Sequence, residues 1–235
     1  MEALATMDSL MLAGEMFGSA MHVGIVLILT PPADAGPDYV DELYRDSITG
    51  SYELDPRLRR HPHRGLDTGG VWMWRDIDEV DLRKHVHYRR LPKGSGADGL
   101  WQLVGDLHSE RLEMSGPLWM SCLIDGLDDG RFALYIKVHH TVIDGVGGLR
   151  MINDSLSADP GLRSMPPFYA DKSAPEHAPE PDPEHESLRR SLLPNPFAAV
   201  PTRSTASAAR VYPTSPESSL VSASMFTVMY PSTSA

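Results

Sequence analysis

The residues best suited to proton transfer are two adjacent histidines, His139 and His140, with Asp144 four positions further on. An unperturbed imidazole has a pKa of about 6.5, so it exchanges protons readily near neutral pH. The spacing alone leaves two interpretations open. One is a general base beside an orienting carboxylate, and the other is a buried, hydrogen-bonded histidine pair next to a turn aspartate. Asp144 would either bond a ring nitrogen or hold the loop by pairing with an arginine.

The histidine pair ends a segment with the pattern of a β-strand. Residues 131–148 read RFALYIKVHHTVIDGVGG, and apolar side chains recur with a period of two before the histidines. Neighbouring residues of a strand point to opposite faces. We therefore expect one imidazole to face the core and the other to face outward. Gly145 is expected to allow a tight turn after Asp144.

Further elements are predicted on both sides of this segment. Helical spacing predicts helices over 7–16, 37–48, 97–114 and 148–156. On the first of these, Leu10, Met11 and Met16 are expected to supply the apolar contacts. Strands are predicted over 21–30, 71–75, 82–88 and 118–125, in addition to 131–138.

The composition excludes several classes of protein. The formal net charge of −11 argues against a nucleic-acid-binding domain, which would carry a basic face. The single Cys122 excludes an intrachain disulfide and a cysteine-rich zinc site. The N-terminus lacks the pattern of a signal peptide, and no apolar run approaches the roughly 20 residues that span a bilayer. These features predict an intracellular protein that is soluble or peripherally attached.

The chain changes character near residue 170. All nineteen glycines lie at or before Gly161, residues 174–186 are rich in proline and acids, and the chain from 194 onward is rich in Ser, Thr, Ala and Pro. Such a composition buries too little apolar surface to offset the entropy of folding. We therefore predict a folded domain over residues 1–170 and a Pro/Ser/Ala-rich tail of low order over 171–235.

Several motifs in the folded part resemble one known family. His139–Gly145, HHTVIDG, fits the HHxxxDG signature of the CoA-dependent acyltransferase superfamily. The blocks MDSLML and MHVGIVLIL near the N-terminus, and PLW at 117–119, occur in the order found in the bacterial wax ester synthase/diacylglycerol acyltransferase family. The resemblance covers about residues 1–155 and corresponds to the N-terminal half of that family.

The resemblance implies an α/β fold, namely one half of a chloramphenicol-acetyltransferase-like fold in which a mixed sheet has helices packed on one side. Residues 1–170 would form the N-terminal domain of the acyltransferase. Members of the family consist of two similar halves with the substrate channel between them. We therefore expect this chain to be a truncated member that lacks the second half.

The implied activity is transfer of a long-chain acyl group from acyl-CoA to diacylglycerol or a fatty alcohol, which makes triacylglycerol or wax ester. His140 would be the general base, His139 would support it, and Asp144 would orient the loop with Gly145. Acyl-CoA would be a co-substrate, and neither a bound cofactor nor a metal is implied. The protein would be cytoplasmic, with contact to the inner membrane surface or lipid inclusions, and it would bind no nucleic acid.

Other interpretations of the same residues remain. The chain could be a catalytically inactive fragment of the family that binds lipid or a partner. The signature also occurs in acyltransferases that use carrier-protein substrates, although the MDSLML and PLW blocks favour the lipid branch. A metal-dependent hydrolase would use His139, His140 and Asp144 as ligands. The basic segment 55–64 is either a solvated loop or a contact for the phosphates of CoA.

Overall fold

A computed structural model describes residues 1–172, except 17, 19, 158, 160, 161, 163 and 164, together with the strand Val221–Phe226. The described residues through Asp171 and that strand belong to one compact unit. Its α-helices are α1 (Thr6–Met16), α2 (Tyr39–Thr49), α3 (Gly96–Ser109) and α4 (Gly145–Asn153). Its strands are β1 (Glu2–Ala3), β2 (His22–Leu29), β3 (Arg60–His63), β4 (Met73–Asp76), β5 (Val86–Arg90), β6 (Trp119–Asp125), β7 (Phe132–His139) and β8 (Val221–Phe226).

The main sheet has five strands in the order β5-β6-β7-β2-β8. Only the β5–β6 pair is parallel, and the other three pairs are antiparallel. A second, three-stranded sheet has the order β1-β4-β3. The α/β class and the mixed sheet that the sequence predicted are therefore confirmed.

The β2–β7 pair lies inside the main sheet, between β6 and β8. Both strands consist largely of apolar or β-branched residues, which suit a pleated surface buried on both faces. Their register places His22 opposite His139. The ladder continues one residue further, because the backbone N–H of His140 donates to the carbonyl of Met21 at 2.9 Å. The pair thus holds the backbone of both histidines of the signature.

Helices contact both faces of this pair. Residues of α1 and α3 contact one face, where Glu15 bonds His139 and His108 bonds Tyr135. Helix α4 covers the other face, and α2 approaches the same face through the ring contact of Tyr39 with Phe132. The sequence predicted helices on one side of the sheet. Helices α1 and α3 lie on one face of the β2–β7 pair, and α2 and α4 lie on the other, so the helices pack on both faces.

Helix α1 buries different side chains from those the sequence suggested. Leu10 and Met16 are 61% and 69% exposed, whereas Leu12 is fully buried and Glu15 is only 4% exposed. The prediction of apolar contacts through Leu10 and Met16 is therefore wrong. The buried face of the helix contains Leu12 and Glu15, which are three residues apart and therefore lie on the same side. Glu15 can be buried because it has a polar partner inside the protein.

Several predicted helix boundaries also move, and the largest changes are in α3 and α4. Helix α3 ends at Ser109, five residues before the predicted end, because Glu110 adopts an extended conformation. Helix α4 begins at Gly145, three residues before the predicted start, because Asp144 caps it. Residues 82–84 form a 3₁₀ helix, so only the second part of the predicted 82–88 strand is extended.

Within the predicted tail, the strand Val221–Phe226 pairs with Gly24–Leu29 of β2. Apart from that strand and residues 171–172, the tail lies outside the described residues. None of the helices in the described part of the chain combines the length and apolarity needed to cross a membrane.

Candidate active site

The His139 side chain is held at both ring nitrogens. It is completely buried, and its Nε2 lies 2.5 Å from Oε2 of Glu15. Its Nδ1 accepts a hydrogen bond from the backbone N–H of Thr141 at 3.1 Å and lies 2.8 Å from the Thr141 hydroxyl. A backbone N–H only donates, so Nδ1 carries no proton in this geometry and Nε2–H donates to Glu15. Neither nitrogen of His139 is left to accept a substrate proton.

The next residue, His140, differs in every one of these respects. It is the first residue beyond β7 and its side chain is half-buried. Its backbone is fixed by the bond to Met21, but within the described part of the chain no hydrogen bond reaches its ring. The end of β7 is therefore followed by an imidazole without a hydrogen-bond partner among the described residues, immediately beside a locked one.

The loop after the histidines is closed by Asp144. Its side chain accepts a hydrogen bond from the backbone N–H of Gly147 at 2.6 Å, and its carbonyl accepts from Gly148 at 2.9 Å. This is the arrangement of an N-cap, which satisfies otherwise unpaired donors in the first turn of α4. Gly145 is the first residue of that helix. The carboxylate of Asp144 thus bonds the helix backbone and neither histidine ring.

Gly147 is tightly packed in this capping turn. A Cβ at that position would lie 3.0 Å from the Asp144 carboxylate oxygen and 3.2 Å from the Ile143 side chain. Those contacts would push the cap away from the helix, so a larger residue at position 147 would weaken it. The guanidinium of Arg57 also lies near this turn, and its pKa is raised mainly by the hydrogen bond to the side chain of Asp55 and further by the nearby charge of Asp144.

An apolar cleft lies between α4 and the β2–β7 pair. Its cavity volume is about 20 Å³, which is room for about one water molecule, so the cleft is narrow. Its walls come from the two strands, from the capping loop, from α4 and from Phe168, namely Val23, Ile25, Ile136, Val138, Ile143, Asp144, Gly145, Gly148, Met151, Ile152 and Phe168. The cleft begins at Val138, two residues before His140, and it is apolar except at Asp144 and the glycines.

The opposite face of the same strands carries a buried polar cluster. The Lys137 ammonium donates to the carbonyls of Leu107 and Glu110, at 2.5 and 2.7 Å. These carbonyls lie at the C-terminal end of α3, where a cation is favoured by unpaired acceptors and by the helix dipole. Burial lowers the pKa of Lys137 to about 8, opposed by the charge of Glu110.

Two further histidines complete this cluster. The Nε2–H of His22 donates to the carbonyl of His108 at 2.7 Å, and the Nδ1 of His108 lies 2.8 Å from the hydroxyl of Tyr135. Burial lowers the pKa of His22 to about 4, with the Lys137 charge acting in the same direction. His22 is therefore neutral near pH 7, and it belongs to the buried cluster.

The basic segment 55–64 is engaged mostly within the protein. Arg57 bonds both carboxylate oxygens of Asp55, at 2.9 and 2.6 Å. The Arg60 guanidinium lies 4.3 Å from the ring centroid of Trp74, and that of Arg64 lies 5.8 Å from Trp72. Because these cations already have partners, the segment gives little support to the alternative of a phosphate-binding patch.

The three residues of the hydrolase alternative are not arranged as metal ligands. His139 is occupied by Glu15 and Thr141, and Asp144 caps α4. In the portion of the chain that the structure describes, no group of three His, Cys, Asp or Glu side chains is placed to hold a metal ion.

The sequence did not single out Glu15, Thr141 or Lys137. The available signal for Glu15 was a carboxylate on a short helix that is rich in methionine and leucine. Such a carboxylate is either exposed to solvent or paired with a buried polar group. Lys137 occupies an inward position of an otherwise apolar strand, which is the same kind of signal. The partner of Glu15 lies 124 positions away in the chain, and the partners of Lys137 lie 30 and 27 positions away. Local spacing therefore could not reveal either set of contacts.

The fold and the position of the signature agree with an acyltransferase domain. The chain belongs to the wax ester synthase/diacylglycerol acyltransferase family, because the model of that family's catalytic domain matches residues 4–230. This match reaches well beyond residue 155, where the resemblance of the sequence motifs ended. It includes β8 and most of the predicted tail.

Named relatives show the same membership. A Mycobacterium tuberculosis H37Rv protein named as a diacylglycerol O-acyltransferase is 39% identical over 166 residues, which are 71% of this chain and 33% of the relative. A second protein of that strain, with the same kind of name, is 36% identical over 68% of this chain and 35% of its own length. This chain therefore spans about a third of the curated relatives it matches.

A solved structure supports the fold. The wax ester synthase/diacylglycerol acyltransferase from Marinobacter aquaeolei VT8 superimposes with a TM-score of 0.66 at 32% identity. The match covers 71% of this chain and 41% of the Marinobacter chain. The predicted family and the α/β fold are thus confirmed.

Proposed function

We propose that this chain is an acyltransferase domain that moves a long-chain acyl group from acyl-CoA to diacylglycerol or a fatty alcohol, with His140 as the general base. The observation that carries the proposal is the contrast at the end of β7. His139 is locked at both nitrogens, whereas the His140 ring has no partner among the described residues. Of the two histidines of the signature, His140 is the one able to accept a proton.

The chemistry requires no nucleophile from the protein. A ring nitrogen of His140 takes the proton of the acceptor hydroxyl as the hydroxyl oxygen attacks the thioester carbonyl. The tetrahedral intermediate then collapses, the C–S bond breaks, and the CoA thiolate leaves with the proton returned by the imidazolium. Burial raises the pKa of the Cys122 thiol to about 12, so the lone cysteine stays protonated and is not a competing nucleophile.

The lining of the cleft beside the site matches the apolar part of such a substrate, and its walls must separate to admit an alkyl chain because its volume is only about 20 Å³. Its walls are aliphatic side chains and Phe168, and an alkyl chain gains about 0.8 kcal/mol for each methylene removed from water. Val138 lines the cleft and lies on β7, two residues before His140, which directly follows that strand. An acyl chain lying against Val138 would therefore bring its carbonyl end towards His140.

In this proposal, His139 and Asp144 are supporting residues. His139 fixes the end of β7 through its two hydrogen bonds, and Asp144 holds the loop that leads into α4. The proposal gives neither residue a proton-transfer step. Gly145 opens α4 and helps to line the cleft.

A second candidate is a domain that binds lipid or a partner without catalysis. The matched residues make up 33% of the curated relative and 41% of the Marinobacter chain, so much of each relative has no counterpart in the match. Groups that stabilise a developing oxyanion supply a large part of acyl-transfer catalysis. If such groups belong to regions of the relatives that this chain does not match, the chain would bind an acyl chain without transferring it.

One assay separates the two candidates. Release of free CoA from palmitoyl-CoA is measured with diacylglycerol or hexadecanol added, for the natural chain and for His140→Ala. Acceptor-dependent release should fall about 10²–10⁴-fold in the variant, the range that a positioned base contributes. The melting temperature should be unchanged, because the ring makes no hydrogen bond in the described structure. The absence of release from a folded natural chain would instead favour the binding domain.

A further inference from the structure

Glu15 is a buried carboxylate on a helix that otherwise packs through apolar atoms. It is 4% exposed, and it follows the fully buried Leu12 by three residues on the inner face of α1. Burial of an ionised carboxylate without a partner costs several kcal/mol, so a buried glutamate indicates a specific interaction. The partner of Glu15 is a histidine 124 residues away in sequence.

The geometry defines the protonation pattern of that partner. The N–H of Thr141 points at Nδ1 of His139, so Nδ1 presents its lone pair and the ring proton is on Nε2. Nε2 lies 2.5 Å from Oε2 of Glu15, which accepts that proton's hydrogen bond. The carboxylate thus selects one neutral tautomer of His139.

The same contact joins two separate parts of the fold. Glu15 is in the last turn of α1, and His139 is the last residue of β7. The end of α1 is held in turn by Arg111, whose guanidinium donates to the carbonyls of Glu15 and Gly18 at 3.3 and 2.9 Å. The position of His139 is therefore set by α1 as well as by its own strand.

We propose that Glu15 is a positioning residue for the reaction. By accepting the Nε2–H of His139, it keeps that ring in a single tautomer and fixes the strand end from which His140 projects. Glu15 is not among the residues that line the cleft, so it acts through His139. The proposal rests on the proposed function, in which His140 is the base, and it adds the residue that holds the base in place.

The first test reads the imidazole nitrogens directly and needs no turnover. Long-range ¹H–¹⁵N spectra of the ¹⁵N-histidine-labelled chain distinguish the two neutral tautomers and the imidazolium, with His139 and His140 assigned by substitution. We expect the Nε2–H tautomer at His139 at neutral pH. An imidazolium or an Nδ1–H tautomer at His139 in the natural chain would overturn the proposal.

Two substitutions of Glu15 then separate the hydrogen bond from the packing. Glu15→Gln retains an acceptor oxygen, so His139 should keep its tautomer while its Nε2–H proton resonance moves, and most of the turnover should remain. Glu15→Leu retains volume but no acceptor, so the His140 ring resonances should shift or broaden. In that variant kcat should fall by up to about 100-fold, as expected for a misplacement of about 1 Å, with KM unchanged.

Tyr135→Phe is the matched control. Tyr135 lies on the same face of the same strand, and its hydroxyl is near His108, so the change removes a buried hydrogen bond without touching His139. It should leave both ring spectra and turnover as in the natural chain. Unchanged His140 resonances in folded Glu15→Leu, or equal effects of Glu15→Leu and Tyr135→Phe, would contradict the proposal.

The outcomes also separate this proposal from the proposed function. If the natural chain releases no CoA, the acyltransferase activity fails, yet the ring spectra still decide the role of Glu15. If Glu15→Leu does not fold, the tautomer in the natural chain and the shift in Glu15→Gln decide it. A Nε2–H resonance unmoved by Glu15→Gln would show that no such contact exists.

Discussion

The two faces of the β2–β7 pair are built in opposite ways. The cleft face, formed by Val23, Ile25, Ile136 and Val138, is aliphatic and partly open. The network face is polar and closed, and it consists of His22, Tyr135, Lys137 and His139 with their partners on α1 and α3. One pair of strands therefore offers an apolar surface for substrate on one side and a rigid support on the other.

The difference lies in which polar groups are satisfied. On the network face nearly every buried donor and acceptor has a partner, and Nδ1 of His22 is the exception among these side chains. Beside the cleft face, the His140 ring is left without one in the described structure. Satisfied networks specify a rigid geometry, whereas a free imidazole is available for proton transfer. Changes on the network face should thus affect stability first, and changes at His140 should affect turnover first.

The largest stability effect expected on the network face is the acid sensitivity due to His22. Its pKa is about 4 in the folded protein against an ordinary value of 6.5, so between these pH values the unfolded chain binds the proton more strongly. Stability is therefore lost as the pH falls from 6.5 to 4, by a total of about 3 kcal/mol. Denaturant unfolding at several pH values across this window should show the loss.

The matched variant for this measurement is His22→Gln, which keeps an N–H donor for the carbonyl of His108 but does not titrate. Its free energy of unfolding should fall less steeply between pH 6.5 and 4 than that of the natural chain. Equal slopes for the two proteins would mean that the network face does not hold His22 in its neutral form.

A smaller effect is expected from the cap beside the cleft. Asp144→Ala removes the acceptor for Gly147 N–H and should lower the free energy of unfolding by about 1 kcal/mol. Asp144→Ser retains a capping oxygen and should recover most of that loss. Denaturant unfolding of the three proteins measures both. A loss in Asp144→Ser as large as that in Asp144→Ala would show that the charge near Arg57, and not the cap, is what matters.

The smallest effect is expected on the outer face of α1. Leu10 is 61% exposed, so Leu10→Ser should change the free energy of unfolding by less than about 0.5 kcal/mol. Leu12→Ser on the same helix replaces a fully buried side chain and should cost several times more. Thermal unfolding of both variants compares the two faces of one helix. Comparable losses would contradict the burial described for α1.

The sequence predicted the elements that have a strong local signal. The alternation before His139 located β7, the apolar run at 21–30 located β2, and the HHxxxDG motif with its neighbouring blocks identified the family. Turn and cap residues were less informative about where helices begin. The start of α4 depends on a hydrogen bond from the Gly147 N–H to the Asp144 side chain, which the spacing of these residues only suggests.

The supporting half of the site could not be predicted in the same way. Its contacts join residues that are far apart in the chain, such as Glu15 with His139, and local pattern carries no information on such pairs. The apolar residues of α1 were also misleading, because apolar side chains often remain on a protein surface. Lys137 can be buried because the end of α3 supplies acceptors for its ammonium group, and those acceptors lie 27 and 30 residues away in the chain.

The sheet order has a consequence for the time course of folding. Strand β2 pairs with β7, about 110 residues later in the chain, and with β8, about 197 residues later. During synthesis β7 emerges first, so the Gly24–Leu29 edge of β2 stays unpaired until residues 221–226 leave the ribosome. An unpaired apolar strand edge is a template for aggregation. The newly made chain should therefore depend on chaperones most strongly in the interval between the completion of β7 and that of β8.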